Sequence, residues 1–273
     1  MMTRLDSLAA RLRAADLERW RAVMIAPAEA QEALAALHLW TLDVAQIPWS
    51  LSEPALAAMR LQWHRDRLSE LAAGEPPPRH ELFEPLAPRL KDKSAPLELF
   101  LNHLAARERD LDPTPPKDLD ELRLYLEDSG GAPFRLAARM LAPGLSPEVE
   151  AAAGEAGFAK GAARWISALP NLSARGRVAA PNAGEAARIL RGETTPELSL
   201  TLKAVAEEAL ARLEAARRVK PGAALPAFLP AVTAQDALRA AARPGFDPFR
   251  EALGPSEFRS RLLNLKAVLL GRW

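Results

Sequence analysis

Two carboxylates four residues apart on a helix share a face, which is how paired acidic side chains come to grip a divalent cation. Asp66 and Glu70 have that spacing, but Arg60, Arg65 and Arg67 crowd the same stretch, so a solvated charge network is the preferred reading. Glu127 and Asp128 stand beside Gly130 and Gly131. Neighbouring helical residues point about 100° apart, so at most one of the two can face a given cavity, and a structural or surface role is preferred. His38, His64, His80 and His103 show neither HxxxH nor HExxH spacing, which favours helix packing over a zinc site. Arg60, Arg65, Arg175 and Arg177 carry guanidinium forks that match phosphate oxygens. Trp40, Trp49, Trp63 and Trp165 suit an apolar pocket wall or, more commonly, ordinary core. No glycine-rich phosphate loop, nucleotide fingerprint or Ser-His-Asp order is present. The chain has no cysteine, which removes thiolate metal sites, disulfides and a thiol nucleophile together.

The elements that position these groups are helical. Leu and Ala dominate, Tyr occurs once, and strict apolar alternation never persists, so the fold class is all-α. The 24 prolines punctuate helices: Pro27, Pro54, Pro96 and Pro147 stand where helices begin. The pattern predicts helices from Pro27 to Ile47, Ser94 to Arg109, Lys117 to Leu141, Glu148 to Ala168, Pro196 to Val219 and Ser256 to Leu270. A further helix from a Ser52 cap to Ala73 should bury the face carrying Leu56, Met59 and Trp63. GEPPPR at Gly74–Arg79 and DPTPP at Asp112–Pro116 read as loops too short to be tethers, so residues 1–273 are expected to form one domain. Lys220–Pro230 reads as a core-packed connection, since about ten residues cannot span a bilayer.

Against 36 Lys plus Arg stand 35 Asp plus Glu, a net charge of +1, so no global field recruits nucleic acid. The N-terminal stretch carries charges every few residues and has no apolar run of the secretory kind, and nothing approaches the roughly 20 apolar residues of a spanning helix. A cytoplasmic protein is the expectation, with contact at the inner-membrane surface as a variant of it.

One set of motifs points further. ALAALHLW at residues 33–40 is similar to the approach that precedes an aspartate-rich DDxxD motif in squalene and phytoene synthases. In that register Ala36, Leu37 and Trp40 match in character, and the aspartate positions fall on Ala45, Gln46 and Trp49. Asp43 sits two residues too early and points roughly 160–200° away. RGRVAAP, with Arg175, Gly176, Arg177, Val178 and Pro181, resembles the GRVYLP that follows the family's second motif, LRDxxED, whose metal-binding aspartates then fall on Ala168 and Leu172. Pro170 is expected to break the helix there. LYLEDSGGAPFRLA resembles YCxxVAGxVG, with Tyr125, Gly130 and Gly131 in place and close backbone approach as the expected use of the glycines. RLQWHRDRL at Arg60–Leu68 and the C-terminal LLNLKAVLLGRW resemble a proteobacterial branch of the family, itself similar to a mitochondrial complex I assembly factor.

The resemblance implies a single-domain isoprenoid synthase-like bundle around a central apolar cavity, whose wall would include Trp40, Tyr125, Gly130 and Gly131, with Arg60, Arg65, Arg175 and Arg177 as phosphate-binding candidates. It also implies a reaction that begins with departure of diphosphate, which needs magnesium held by carboxylates. With Ala45, Gln46, Trp49, Ala168 and Leu172 at those positions, the expectation is a non-catalytic protein with no catalytic residues, metal or cofactor. Its partner would be a protein, respiratory complex I subunits being the case the resemblance implies, or an isoprenoid or lipid ligand. The alternative is an active prenyl-diphosphate transferase with atypical ligands, for which magnesium would be required.

Overall fold

A computed structural model describes residues 3–51, 53–181, 184–254 and 257–273. Ser52 and Ser256, the predicted starts of two helices, lie outside the described residues. The described residues form helices joined by short turns, with no strand. In chain order these are α1 (Arg4–Ala15), α2 (Leu17–Ile25), α3 (Ala28–Ser50), α4 (Pro54–Ala72), α5 (Phe83–Lys91), α6 (Leu97–Arg109), α7 (Leu119–Leu126) and α8 (Ala132–Leu141). Then follow α9 (Pro147–Ala174), α10 (Ala186–Leu190), α11 (Pro196–Arg217), α12 (Leu225–Phe228), α13 (Ala234–Ala241) and α14 (Glu257–Leu270).

Two long helices organise the rest. Helix α3 is rich in Ala and Leu, the strongest helix formers, and every residue from Ala33 to Thr41 is buried. A helix buried on all sides has neighbours on all sides, and α3 accordingly packs against α1, α5, α6 and α8. Helix α9, 28 residues long, is capped by the Ser146 hydroxyl and packs against α8, α11 and α13. Leu8 on α1 and Trp273 at the far end belong to the same cluster of buried side chains.

Between α7 and α8 the backbone loosens into a π turn, Glu127–Gly131, that lies across α9. A Cβ on Gly130 would meet the Gly157 carbonyl oxygen at 2.5 Å, and one on Gly157 would meet the Gly130 oxygen at 2.5 Å. Gly131 faces Gly154, and Gly161 faces Gly130. The close approach expected of Gly130 and Gly131 is therefore made against a glycine stripe on α9.

Three expectations need correction. Helix α9 runs through Pro170 to Ala174 instead of breaking. The proline lies one turn from the helix end, so its missing N–H costs a single bond in a helix already held by packing along its length. Helix α4 buries Ala57, Leu61, His64, Leu68 and Leu71, which leaves Leu56, Met59 and Trp63 exposed. The buried face is the one that meets α3, α5 and α6, and Arg60 and Gln62 share the outer side with Met59 and Trp63. Finally α1, α2, α5, α10 and α13 were not foreseen, although α1 carries a capping box of Thr3 and Asp6. Lys220–Pro230 does pack into the core, with Phe228 and Leu229 buried.

Candidate functional site

A cavity of about 410 Å³ opens among α3, α6, α7, the π turn and α9, closed along one side by residues 110–116 and 177–179. All five substituted motif positions line it: Ala45, Gln46 and Trp49 from α3, and Ala168 and Leu172 from α9. Magnesium requires hard oxygen donors in near-octahedral array. Of these five side chains only Gln46 offers an oxygen, and that oxygen is neutral. The residues present at these positions do not fit magnesium.

The wall is cationic instead. Arg19, Arg107, Arg109, Lys160, Arg164 and Arg177 line it, against the carboxylates Asp110, Asp112 and Glu121. Each of these acids is already engaged. Asp110 accepts from Arg107 Nη1 and from the Tyr125 hydroxyl, both at 3.0 Å. Glu121 accepts from the Lys117 N–H and pairs with Arg109, and Asp112 accepts from the Thr114 N–H. Among the described residues no group of three His, Asp or Glu is arranged to hold a metal ion. Burial, opposed by Arg107, pushes the Tyr125 hydroxyl up to about 12, so it stays protonated and donates.

Trp49 faces two guanidinium groups. Its ring lies 5.6 Å from the Arg177 guanidinium and 5.9 Å from that of Arg175, within the reach of a cation–π attraction. Arg177 is fixed further by donating to the carbonyl oxygens of Asp110, at 2.6 Å, and Asp112, at 2.5 Å. The aromatic face and two carbonyls thus supply the negative potential that faces the Arg177 guanidinium.

Opposite, the N-cap of α2 organises a second cluster. Asp16 accepts from the Arg19 N–H at 3.0 Å and pairs with Arg164. Arg19 Nη1 donates to Thr41 Oγ1 at 2.8 Å, and that hydroxyl donates to the His38 carbonyl. Burial alone would raise the Asp16 carboxyl, but Arg164, Arg19 and the Arg19 N–H hold it well below the usual range. Lys160 reaches Glu18 and donates to Thr233 Oγ1 at 3.1 Å. His103 also lines the cavity, its Nδ1 placed 3.3 Å from the Asp128 carbonyl oxygen. Burial, aided by Arg107, lowers its pKa to about 3.

The structure brings Tyr125, Gly130 and Arg177 to the cavity with the five substituted positions, and adds Trp165. The other sequence candidates lie elsewhere. Trp40 is fully buried behind the wall, edge-on to Phe100 at 5.0 Å. Gly131 packs on α9, and the Arg175 guanidinium lies 5.9 Å from the Trp49 ring. Arg60 is exposed and Arg65 pairs with Glu108 at 2.7 Å, because α4 turns its uncharged face inward. Asp43 lies off the cavity and pairs with Arg11, while Glu127 pairs with Arg212 and Asp66 accepts from Gln62. Sequence reasoning missed Asp16, Arg19, Arg107, Lys160 and Arg164. No signal in the sequence marks them, because they come from separate helices and meet only in the fold.

Similarities to known proteins follow the same lines. Complex I assembly factor 6 from Mus musculus is 27% identical over 252 residues, covering 89% of this chain and 75% of that protein. The Homo sapiens protein of that name is 25% identical over the same coverage. A dehydrosqualene synthase crystal structure superposes with a TM-score of 0.75 at 13% identity, covering 98% of this chain and 96% of its own. A squalene synthase from Alicyclobacillus acidocaldarius gives 0.73 at 20% identity, covering 89% and 94%. These place the fold among terpenoid synthase-like bundles. The squalene/phytoene synthase family model matches residues 12–265, and with the cavity and its motif positions now located, the chain belongs to the squalene/phytoene synthase family.

Proposed function

We propose that this chain is a non-catalytic member of its family, which keeps the helical shell as a scaffold for a protein partner and acts in assembly of respiratory complex I. One observation carries the reading: the side chains facing the cavity at the five motif positions are methyl, amide, indole, methyl and isobutyl groups. Diphosphate departure needs its developing charge neutralised more strongly in the transition state than before it. Arginines that bound the ground state and the transition state equally would hold a phosphate without driving its loss. The assembly role is supported by the relatives named complex I assembly factor 6.

Affinity capture from a detergent extract of respiratory membranes, with the intact chain as bait, tests the partner. Enrichment of respiratory complex I subunits over an unrelated helical bait is expected. Recovery of none of them would remove the assembly role.

A further inference from the structure

Helix α14 carries large apolar side chains on its outer face as well as its inner one. The face it turns to the protein centres on Ser260, Asn264 and Ala267, all buried, with Leu263 and Val268 half-buried beside them. The face it turns outward carries Phe258, Leu262, Leu265 and Leu269, which are 77%, 55%, 56% and 75% exposed. Their spacing of four, three and four residues aligns them in one stripe within about 60° on the helical wheel. Single exposed leucines are ordinary, but a continuous stripe of four large apolar side chains marks a contact surface.

Charge identifies the contact. At about 100° per residue, Arg259 and Lys266 fall along one edge of the stripe and Arg261 along the other, with Arg272 just beyond the last turn. Against these four cations the segment 257–273 has one acidic side chain, Glu257. The helix cannot roll to hide its stripe. Arg259 is clamped to both Asp236 oxygens at 2.7 and 3.0 Å, Glu257 pairs with Arg261 on its own helix and with Arg21 at 3.4 Å, and the Trp273 ring packs 5.0 Å from Phe228. Its 14 residues make about 21 Å, too short to cross a bilayer.

We infer that α14 is an interfacial helix that seats the protein on an anionic lipid bilayer, with its apolar stripe among the acyl chains and Arg261, Lys266 and Arg272 at the headgroup phosphates. Cations on both edges of an apolar stripe suit a plane of anionic headgroups, since long basic side chains lay their stems along the apolar layer and raise their charges to its surface. The inference stands on α14 alone and is independent of the assembly role.

Vesicle flotation of the full chain tests it, with phosphatidylcholine vesicles with or without phosphatidylglycerol. Wild-type protein is expected to float with the anionic vesicles and to be released by salt. Leu262→Glu with Leu265→Glu should lower partitioning ~10-fold or more, since removing two leucines from the apolar layer forfeits their transfer free energy. Lys266→Glu with Arg261→Glu should weaken binding to anionic vesicles only. Both pairs of substitutions fall on exposed positions, so unchanged thermal unfolding checks the fold. Absence of flotation, or flotation indifferent to the leucine substitutions, would overturn the inference. So would a wild-type dimer by light scattering that becomes monomeric in the leucine variant, because a second copy would then cover the stripe.

Discussion

An arginine next to a cavity takes its meaning from what faces it. Beside carboxylates and a divalent cation, Arg177 would help to grip a leaving anion; over the Trp49 ring and against two carbonyls it is a structural tie. Surroundings decide the buried imidazoles too. His38 and His103 are lowered to about 3 by burial, aided by Arg19 and Arg107 respectively, and His64 to about 4 by burial and Arg60. In the unfolded chain these groups take up a proton near the ordinary 6.5, so the unfolded state binds more protons over the interval and stability is lost as pH falls from there towards the native values. Lowering the pH from about 7 to about 5 should cost about 2 kcal/mol for each of His38 and His103. Urea unfolding across that range checks it. A midpoint that does not move would mean that the imidazoles reach solvent.

At the scale of elements, the glycine seam between the π turn and α9 holds one wall of the cavity in place. Gly157→Ala would put a methyl group 2.5 Å from the Gly130 oxygen and 2.8 Å from the Gly131 Cα. Backbone on the far side cannot move aside as a flexible side chain would, so the substitution should destabilise by at least about 1–3 kcal/mol in chemical denaturation. Gly144→Ala, with nothing within 4 Å, should be nearly neutral. Gly130 and Gly131 were legible in the sequence because a motif frames them, whereas Gly154, Gly157 and Gly161 were not: glycine inside a helical pattern lowers helix propensity without naming its partner. Helix α4 misled for a related reason. Leu56, Met59 and Trp63 make a convincing stripe, yet Ala57, Leu61, His64, Leu68 and Leu71 make another, and only the neighbouring helices decide which one is buried. Pro170 was read as a break because its local cost is plain in sequence, while the packing that overrides it is not.

For the whole molecule, the all-helical class and the family bundle were legible from composition and from motifs spread along the chain, and the five substituted positions meet at one cavity although more than a hundred residues separate the two sets. The cationic clusters around Asp16 and Asp110 were not legible, because their members come from α2, α6, α7 and α9 and become neighbours only in the fold. What results is a cavity lined at Ala45, Gln46, Trp49, Ala168 and Leu172 by aromatic, aliphatic and amide surface, with no carboxylate at those five positions. Purified protein incubated with magnesium and radiolabelled farnesyl diphosphate tests that claim most directly. Diphosphate release at the level of the protein-free blank is predicted. Saturable release that requires both the protein and magnesium would contradict it.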